Sequence, residues 1–472
     1  MRRAHEIACG GFVVLCSALH GVAALPPGTR AVAYLIVHAL LTVAMLVAWR
    51  SAATSRSSLV LACGVVARLV LVTVPSFTTV DVARYLWDGK LALLGIDPYR
   101  IAPLAPELTT LRAVWLPRGV HLDLPTLYPP LAIGLFALAA VAGDPATAWL
   151  VWKLLVTAAS LATLWLGVRL LEAAGARRHV ALVALSPLLV LESGVGAHVD
   201  GFAALAVTAG LLCVVRGRAV AAGALLGFGA AVKILPGAAL VPLAACRAAG
   251  LRAVRAGVVV VLAIYAASLA LGLVPIGSLA VPFRAWSFGS PVWAALEASL
   301  GRGVASLASL GGMTGMLVAS VWLARRGRWI AGVQTALAAP LAFGPVVFPW
   351  YLTPLVPAVA LAPGAASVAW LCLAPLTYEV LVAEELRGVW EPAPWPLVAT
   401  AAGVALAAVG ARRYLERSGN AAPFPPYLPT WMSSPARSAG GAGEQPGRAA
   451  DPARCVSARR GPAAAGGADS AA

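Results

Sequence analysis

The chain has 472 residues, 60% of them hydrophobic and 11% charged, with a formal net charge of +16 and a mean hydropathy of +0.86. Soluble domains are roughly 45–50% apolar, so the surplus has to face lipid. Lys and Arg sit in short clusters between apolar runs, as in cytoplasmic loops, and not on a basic face with interleaved aromatics, which argues against nucleic acid as a partner.

Apolar runs near the length that crosses the hydrocarbon predict spans near 7–25, 31–49, 58–75, 148–171, 179–194, 201–215, 219–235, 236–249, 252–274, 304–324, 329–345, 351–363, 365–383 and 395–411. The fold class is therefore all-α, a polytopic transmembrane helix bundle of about fourteen spans. The division within 219–249 is the softest. The opening MRRAHEIACGGFVVLCSALHGVAAL has the basic start and apolar middle of a signal peptide. With a whole membrane domain following, it reads as an uncleaved first span.

Basic clusters set the orientation. Arg2/Arg3, Arg50/Arg56, Arg177/Arg178, Arg216/Arg218, Arg252/Arg255, Arg325/Arg326/Arg328 and Arg412/Arg413 all fall on one side, which the positive-inside rule assigns to the cytoplasm. Both chain ends are then cytoplasmic. The stretch YPPLAIGLFALAAVAG at 128–143 is apolar enough for a span, but counting it would put Arg177/Arg178 outside. It reads instead as a helix lying at the interface or re-entering the membrane, within one large outer loop over 76–147 that carries juxtamembrane helices.

That topology places Asp81, Asp88, Asp97, Glu107, Asp123, Asp144, Asp200, Glu297, Glu384, Glu385 and Glu391 on the outer side. Carboxylate chemistry then belongs to the outer face. The seven cysteines avoid the long outer loops and show no CxxC or Cys/His spacing, so neither a disulfide framework nor a zinc site is expected. The membrane domain should cover 1–411, followed over 412–472 by a tail rich in Ala, Gly, Pro and Ser with the composition of a disordered cytoplasmic extension.

Within TTVDVARYLWDGKLALLGIDPYRIAP, residues 78–103, charge is concentrated as nowhere else in the membrane domain. If 79–94 is helical, Asp81, Arg84 and Asp88 are spaced i, i+3, i+7 and share one face. Leu86, Trp87, Leu91 and Leu94 cover other faces, and Gly95 and Pro98 end the helix. A bridging arginine between two surface carboxylates contributes a fraction of a kcal/mol. Carboxylates at an apolar boundary can instead have raised pKa values and serve as bases. Both readings stay open on the residues alone.

The run DVARYLWDGKLALLGIDPYRIAP resembles the first outer loop of bacterial GT-C glycosyltransferases, in their mannosyltransferase-like branch: an Asp, then RYxWDG, then GxxPY. Further matches follow in order: TLYPPLAIGLF at 126–136, VWKLL at 151–155, GAHVDG at 196–201, LLGFGAAVKILPGAALVP at 225–242 and FPWYLTPLVP at 348–357. The resemblance implies an integral enzyme of the bacterial inner (plasma) membrane. It would move a hexosyl group, mannosyl first, from a polyprenyl phosphate to a glycan or lipid-linked acceptor with inversion. Such chemistry needs a base for the acceptor hydroxyl and cations for the departing phosphate.

Carried over by position, the base is Asp81, and Asp88 is the second carboxylate of the loop. Asp88 could orient the acceptor, bind a divalent cation (Mg or Mn) or hold Arg84. Lys233, before Pro236, is the preferred phosphate ligand, with Arg84 beside it, although a lysine at a span end can also simply snorkel. Lys153 and Arg68 are weaker candidates, read as partners of carboxylates inside the bundle. Tyr128, His198, Asp200, Trp350 and Tyr351 are expected to contact substrate. Two groups in GAHVDG are too few for zinc. Where related proteins often read WxFN, this chain has WSFGS at 286–290, so Gly289 cannot supply an amide. The competing class is a secondary transporter, compatible with Arg68, Lys153 and Glu192 inside spans. The large acid-bearing loop and the lack of a two-half repeat stand against it.

Overall fold

The structure is a computed structural model that describes residues 2–51, 57–116, 119 and 121–418. Most of the expected tail lies outside the described residues. The chain forms α1 (Arg2–Ala23), α2 (Thr29–Ser51), α3 (Ser57–Val70), α4 (Asp81–Leu93), α5 (Thr109–Trp115), α6 (Pro130–Ala140) and α7 (Pro145–Ala173). It continues through α8 (Ala181–Ala184), α9 (Pro187–Gly194), α10 (Asp200–Val215), α11 (Ala219–Val232), α12 (Leu240–Ala244) and α13 (Arg247–Ala270). The remaining helices are α14 (Val281–Ala285), α15 (Pro291–Arg325), α16 (Trp329–Phe343), α17 (Val356–Leu361), α18 (Ala365–Leu373), α19 (Val380–Arg387) and α20 (Trp395–Ser418). Among the described residues the only β pairing is an isolated bridge between Phe288 and Val346.

This is the all-helical membrane bundle that hydropathy predicts, with its passes built unevenly. Among the described residues, seven helical stretches are long and apolar enough to cross a membrane: Arg3–Ala23, Thr29–Ser51, Pro145–Ala173, Ala249–Ala270, Pro291–Arg325, Ala365–Arg387 and Trp395–Tyr414. Other expected spans are short or interrupted. The run expected over 304–324 belongs to the longer α15, kinked where Gly301 takes φ 71°. The last helix continues past residue 411 to Ser418.

The expected span 179–194 is broken into α8 and α9. Pro187 starts α9 at a position where its missing N–H costs nothing, and Ser186 caps it by accepting the Leu189 N–H at 3.4 Å. The break strands carbonyls at the end of α8 inside the bundle, where no water can satisfy them. Arg68, 1% exposed, meets that need. Its Nη1 donates to the carbonyls of Ala184 (2.7 Å) and Gly64 (2.8 Å), its Nη2 to Val183 (3.2 Å) and its Nε to Ser160 Oγ (2.9 Å). A carboxylate was expected opposite this cation; the structure supplies a helix C-terminus, whose partial negative charge serves the same purpose. Lys153 behaves alike, donating to the Val74 carbonyl at 2.9 Å and to the Gly194 carbonyl that ends α9.

Close backbone approaches set the rest. Gly223 and Gly227, four apart on α11, face Ala253 and Gly257, four apart on α13. A Cβ on Gly223 would lie 1.8 Å from the Ala253 oxygen, and one on Gly227 2.5 Å from the Gly257 oxygen. Small residues at this spacing let membrane helices touch backbone to backbone. Gly89 does the same for α4, where a Cβ would fall 2.3 Å from the Phe136 carbonyl carbon of α6. The apolar segment 128–143 is thus α6, tucked beneath α4 with Ala132, Ile133, Phe136, Ala139 and Ala140 buried and Leu138 exposed.

Gly223→Val should push α11 off α13 and lower the thermal unfolding midpoint of the detergent-purified protein, an overpacking cost of about 1–3 kcal/mol. An unchanged midpoint would show that the two backbones are not in contact.

Candidate active site

After α3 the chain runs through Pro75 and enters α4 at Asp81, whose N–H donates to Thr79 Oγ1 at 3.0 Å. A carboxylate in the first turn is favoured by the helix dipole. Tyr85, one turn on, donates its hydroxyl to Asp81 Oδ2 at 3.4 Å, and His198 Nδ1 lies 3.6 Å from the same oxygen. The Asp81 side chain keeps 30% of its surface exposed. Burial of the rest raises its pKa above the usual carboxylate value; the charge of Lys233 opposes this and that of Asp200 adds to it.

Helix α4 puts Asp81, Arg84 and Asp88 on the shared face expected of them, and Arg84 pairs with Asp88. Arg84 Nε donates to Asp88 Oδ1 at 2.9 Å, and its Nη2 reaches the Leu124 carbonyl at 2.9 Å. Asp88 is 1% exposed, and burial raises its carboxyl while Arg84 opposes the rise. This pair fastens the loop at Leu124 to α4.

The second wall is the segment between α9 and α10, and α7 holds it. Lys153 binds the Gly194 carbonyl, and its neighbour Trp152 donates Nε1–H to the Ala197 carbonyl at 2.8 Å. Ala197 sits at φ 50°, a left-handed conformation costing a non-glycine residue about 1–2 kcal/mol, so the surrounding contacts must hold it there. The result is a fixed His198, fully buried. Its ring stacks on Trp350 with centroids 3.9 Å apart and 12° between planes, and its backbone N–H donates to the Glu192 carbonyl at 2.8 Å. Burial, then the charge of Lys233, hold the imidazole pKa well below its ordinary value.

Asp200 opens α10 and Lys233 leaves the end of α11, so two antiparallel neighbours bring them to one end. Lys233 Nζ lies 3.1 Å from Asp200 Oδ2. The same ammonium sits 4.4 Å from the ring centroid of Tyr351 and 5.6 Å from that of Tyr128, a cation–π arrangement. Tyr128 meets Tyr85 edge-on at 5.2 Å, and Thr353 Oγ1 reaches the Asp200 carbonyl at 3.4 Å.

Of the residues singled out from the sequence, Asp81, Tyr128, His198, Asp200, Lys233, Trp350 and Tyr351 therefore form one cluster, while Asp88 and Arg84 form a separate latch. Trp286 stands apart, packed on His121 at 4.4 Å. Gly289 has φ 72°, and a Cβ there would lie 1.9 Å from the Val347 oxygen. Its place beside the Phe288–Val346 bridge accounts for glycine. Three residues of the cluster escaped sequence reading as site groups. Tyr85 stood four residues from Asp81 and was legible by that spacing. Glu192 was noticed only as an intramembrane charge. Tyr378, whose hydroxyl is 2.8 Å from both Glu192 carboxyl oxygens, carried no signal. Among the described residues no group of three or more His, Cys, Asp or Glu has the arrangement to hold a metal ion.

Arg84→Ala leaves Asp88, 1% exposed, buried without its cation, a loss of about 3–5 kcal/mol. Limited proteolysis should then cut faster around residues 121–124; wild-type cutting rates would mean the latch does not hold that loop.

No curated protein and no solved structure matches the chain. Residues 11–250 match the N-terminal domain of the MptA_B family, described as alpha-(1->6)-mannopyranosyltransferase. The match spans about half of the sequence and includes Asp81, His198, Asp200 and Lys233 together with the helices that position them. The chain belongs to this mannosyltransferase family and is a membrane-embedded glycosyltransferase.

Proposed function

We propose that the protein transfers a mannosyl group from a polyprenyl-phosphate donor to a hydroxyl of a glycan or lipid-linked acceptor, at the outer face of the plasma membrane and with inversion. One observation carries the reading. Asp81 is the open carboxylate of the cluster, 30% exposed, whereas Asp200 and Glu192 are 1% and 2% exposed. It lies where the field of the partly buried Lys233 is felt.

The chemistry follows from that placement. Asp81 takes the acceptor proton while the acceptor oxygen attacks the anomeric carbon. The bond to phosphate breaks with its electron pair going to the phosphate oxygen. That charge develops beside Lys233, whose ammonium in a partly dehydrated site is worth more than in water. Asp200 balances Lys233 in the free enzyme, and the faces of Tyr128 and Tyr351 favour a cation at that point. Asp88 and Arg84 take the positioning role: with donors spent on Asp88 and Leu124, Arg84 leaves the phosphate to Lys233. The stacked Trp350 closes the cluster beneath the sugar. In this scheme the basic clusters between spans face the cytoplasm, as do both termini.

Membranes carrying wild-type protein should transfer labelled mannose from polyprenyl-phosphate mannose. Asp81→Asn should lower kcat by about 10²–10⁴-fold, the range for loss of a general base, and Lys233→Met should cut kcat/KM for the donor. A base must be ionised to act, so turnover should fall as pH drops through the raised Asp81 pKa and level off above it. Expression and folding of each variant are checked alongside. A folded wild type that moves no mannose across a range of acceptors sinks the donor assignment.

A further inference from the structure

Glu192 has no part in the scheme above, yet it is the most expensive side chain in the cluster to keep. It lies in α9, 2% exposed. Among the described residues its ionic contact is with His198 alone, Nε2 to Oε2 at 3.6 Å. An ionisable group at such depth is retained for a reason. The backbone has been shaped around this contact: a Cβ on Gly196 would lie 2.4 Å from His198 Cδ2 and 3.1 Å from Glu192 Oε2, and the next residue, Ala197, holds the left-handed turn. His198 Nε2 is buried with no hydrogen-bond partner in this state, while Tyr378 donates its hydroxyl to Glu192 from behind.

We infer that Glu192 is a positioning residue that acts on Asp81 through His198, the imidazole bridging the two carboxyl groups so that the three share protons as one unit. Nδ1 faces Asp81 Oδ2 and Nε2 faces Glu192 Oε2, each at 3.6 Å. Contacts of this length commonly shorten into hydrogen bonds only when substrate is bound. A neutral imidazole carries one N–H. If Glu192 is ionised, that hydrogen belongs on Nε2 and Nδ1 is free to accept from Asp81. If Glu192 holds a proton, Nε2 accepts it and Nδ1–H points at Asp81. Either way the state of the buried end is transmitted to the open end.

The inference rests on Asp81 being the base of the proposed transfer. When Asp81 takes the acceptor proton, the O–H electron pair stays on the acceptor oxygen and becomes the new bond to the anomeric carbon. The old bond to phosphate leaves with its own pair. The proton is held on the Asp81–His198–Glu192 chain and departs with product through Asp81, the one member with exposed surface. Among the described residues, the other charged and titratable groups facing the chain are Tyr34 from α2, Tyr85 from α4, whose hydroxyl lies 3.5 Å from His198 Nδ1, Tyr128, Asp200 from α10, Lys233 beyond α11, Tyr351 and Tyr378.

Full-length protein in membranes is assayed as wild type, Glu192→Gln, His198→Gln and Tyr378→Phe. Glu192→Gln should lower kcat about tenfold or more with KM for donor and acceptor unchanged, and move the acid limb of the kcat–pH profile. Tyr378→Phe, a milder change that removes only a hydroxyl, should move both in the same direction by less. Folded Glu192→Gln and Tyr378→Phe proteins with the wild-type kcat and pH profile overturn the inference. A second readout needs no turnover: the pH-dependent infrared carbonyl band that Glu192→Gln removes should shift its midpoint in Asp81→Asn. An unshifted midpoint overturns the coupling. A wild type that moves no mannose defeats the proposed donor, and the infrared titration still decides whether the chain is coupled.

Discussion

Two buried cations, Arg68 and Lys153, bind the carbonyl ends of an interrupted helix, and the candidate site depends on that arrangement. A membrane interior tolerates irregular backbone only where protein satisfies every stranded carbonyl. Arg68 does this at the end of α8 and Lys153 at the end of α9. Breaking the pass at Pro187 allows the chain to turn before it has spanned the bundle. The turn then presents Gly196, Ala197 and His198 to α4 instead of burying them in a continuous helix. Trp152, adjacent to Lys153 on α7, fixes the Ala197 carbonyl, so one helix sets both ends of the turn.

Carboxylates outnumber cations in the resulting cluster, Asp81, Asp200 and Glu192 against Lys233, and exposure tells them apart. Asp200 is spent on Lys233 at 3.1 Å. Glu192 is remote and hydroxyl-bound, which leaves Asp81 as the carboxylate a substrate can reach. The aromatic side chains do two kinds of work: Tyr128 and Tyr351 present ring faces to the ammonium, and Trp350 immobilises the imidazole by stacking. An imidazole so held cannot rotate between its two carboxyl neighbours.

Much of the cluster was legible because membrane topology sorts residues by side. The spacing of apolar runs and basic clusters put Asp81, His198, Asp200 and Lys233 at one end of the expected spans, and the structure brings them together. Pairings within α4 were read less well. Asp81, Arg84 and Asp88 share a face, but that spacing does not say which carboxylate Arg84 takes. Arg84 pairs with Asp88 and Tyr85 with Asp81. Arg68 and Lys153 were read against carboxylates because a break in the span they serve was not foreseen. Pro187 was visible, but a proline alone does not say whether a helix kinks or stops.

What the sequence by itself determined is the class: apolar runs too long and too many for a core, and an acid-bearing loop whose motifs resemble known glycosyltransferases. These follow from composition and spacing, which are local properties. Only the tertiary structure decided which groups meet. Glu192 and Tyr378 are 186 residues apart, and the contact of Glu192 with His198 depends on a helix break, a left-handed alanine and a glycine with no room for a Cβ. None of those is visible until the surrounding helices are packed, because in lipid it is close packing and carbonyl satisfaction, not hydrophobicity, that choose one arrangement of apolar helices over another.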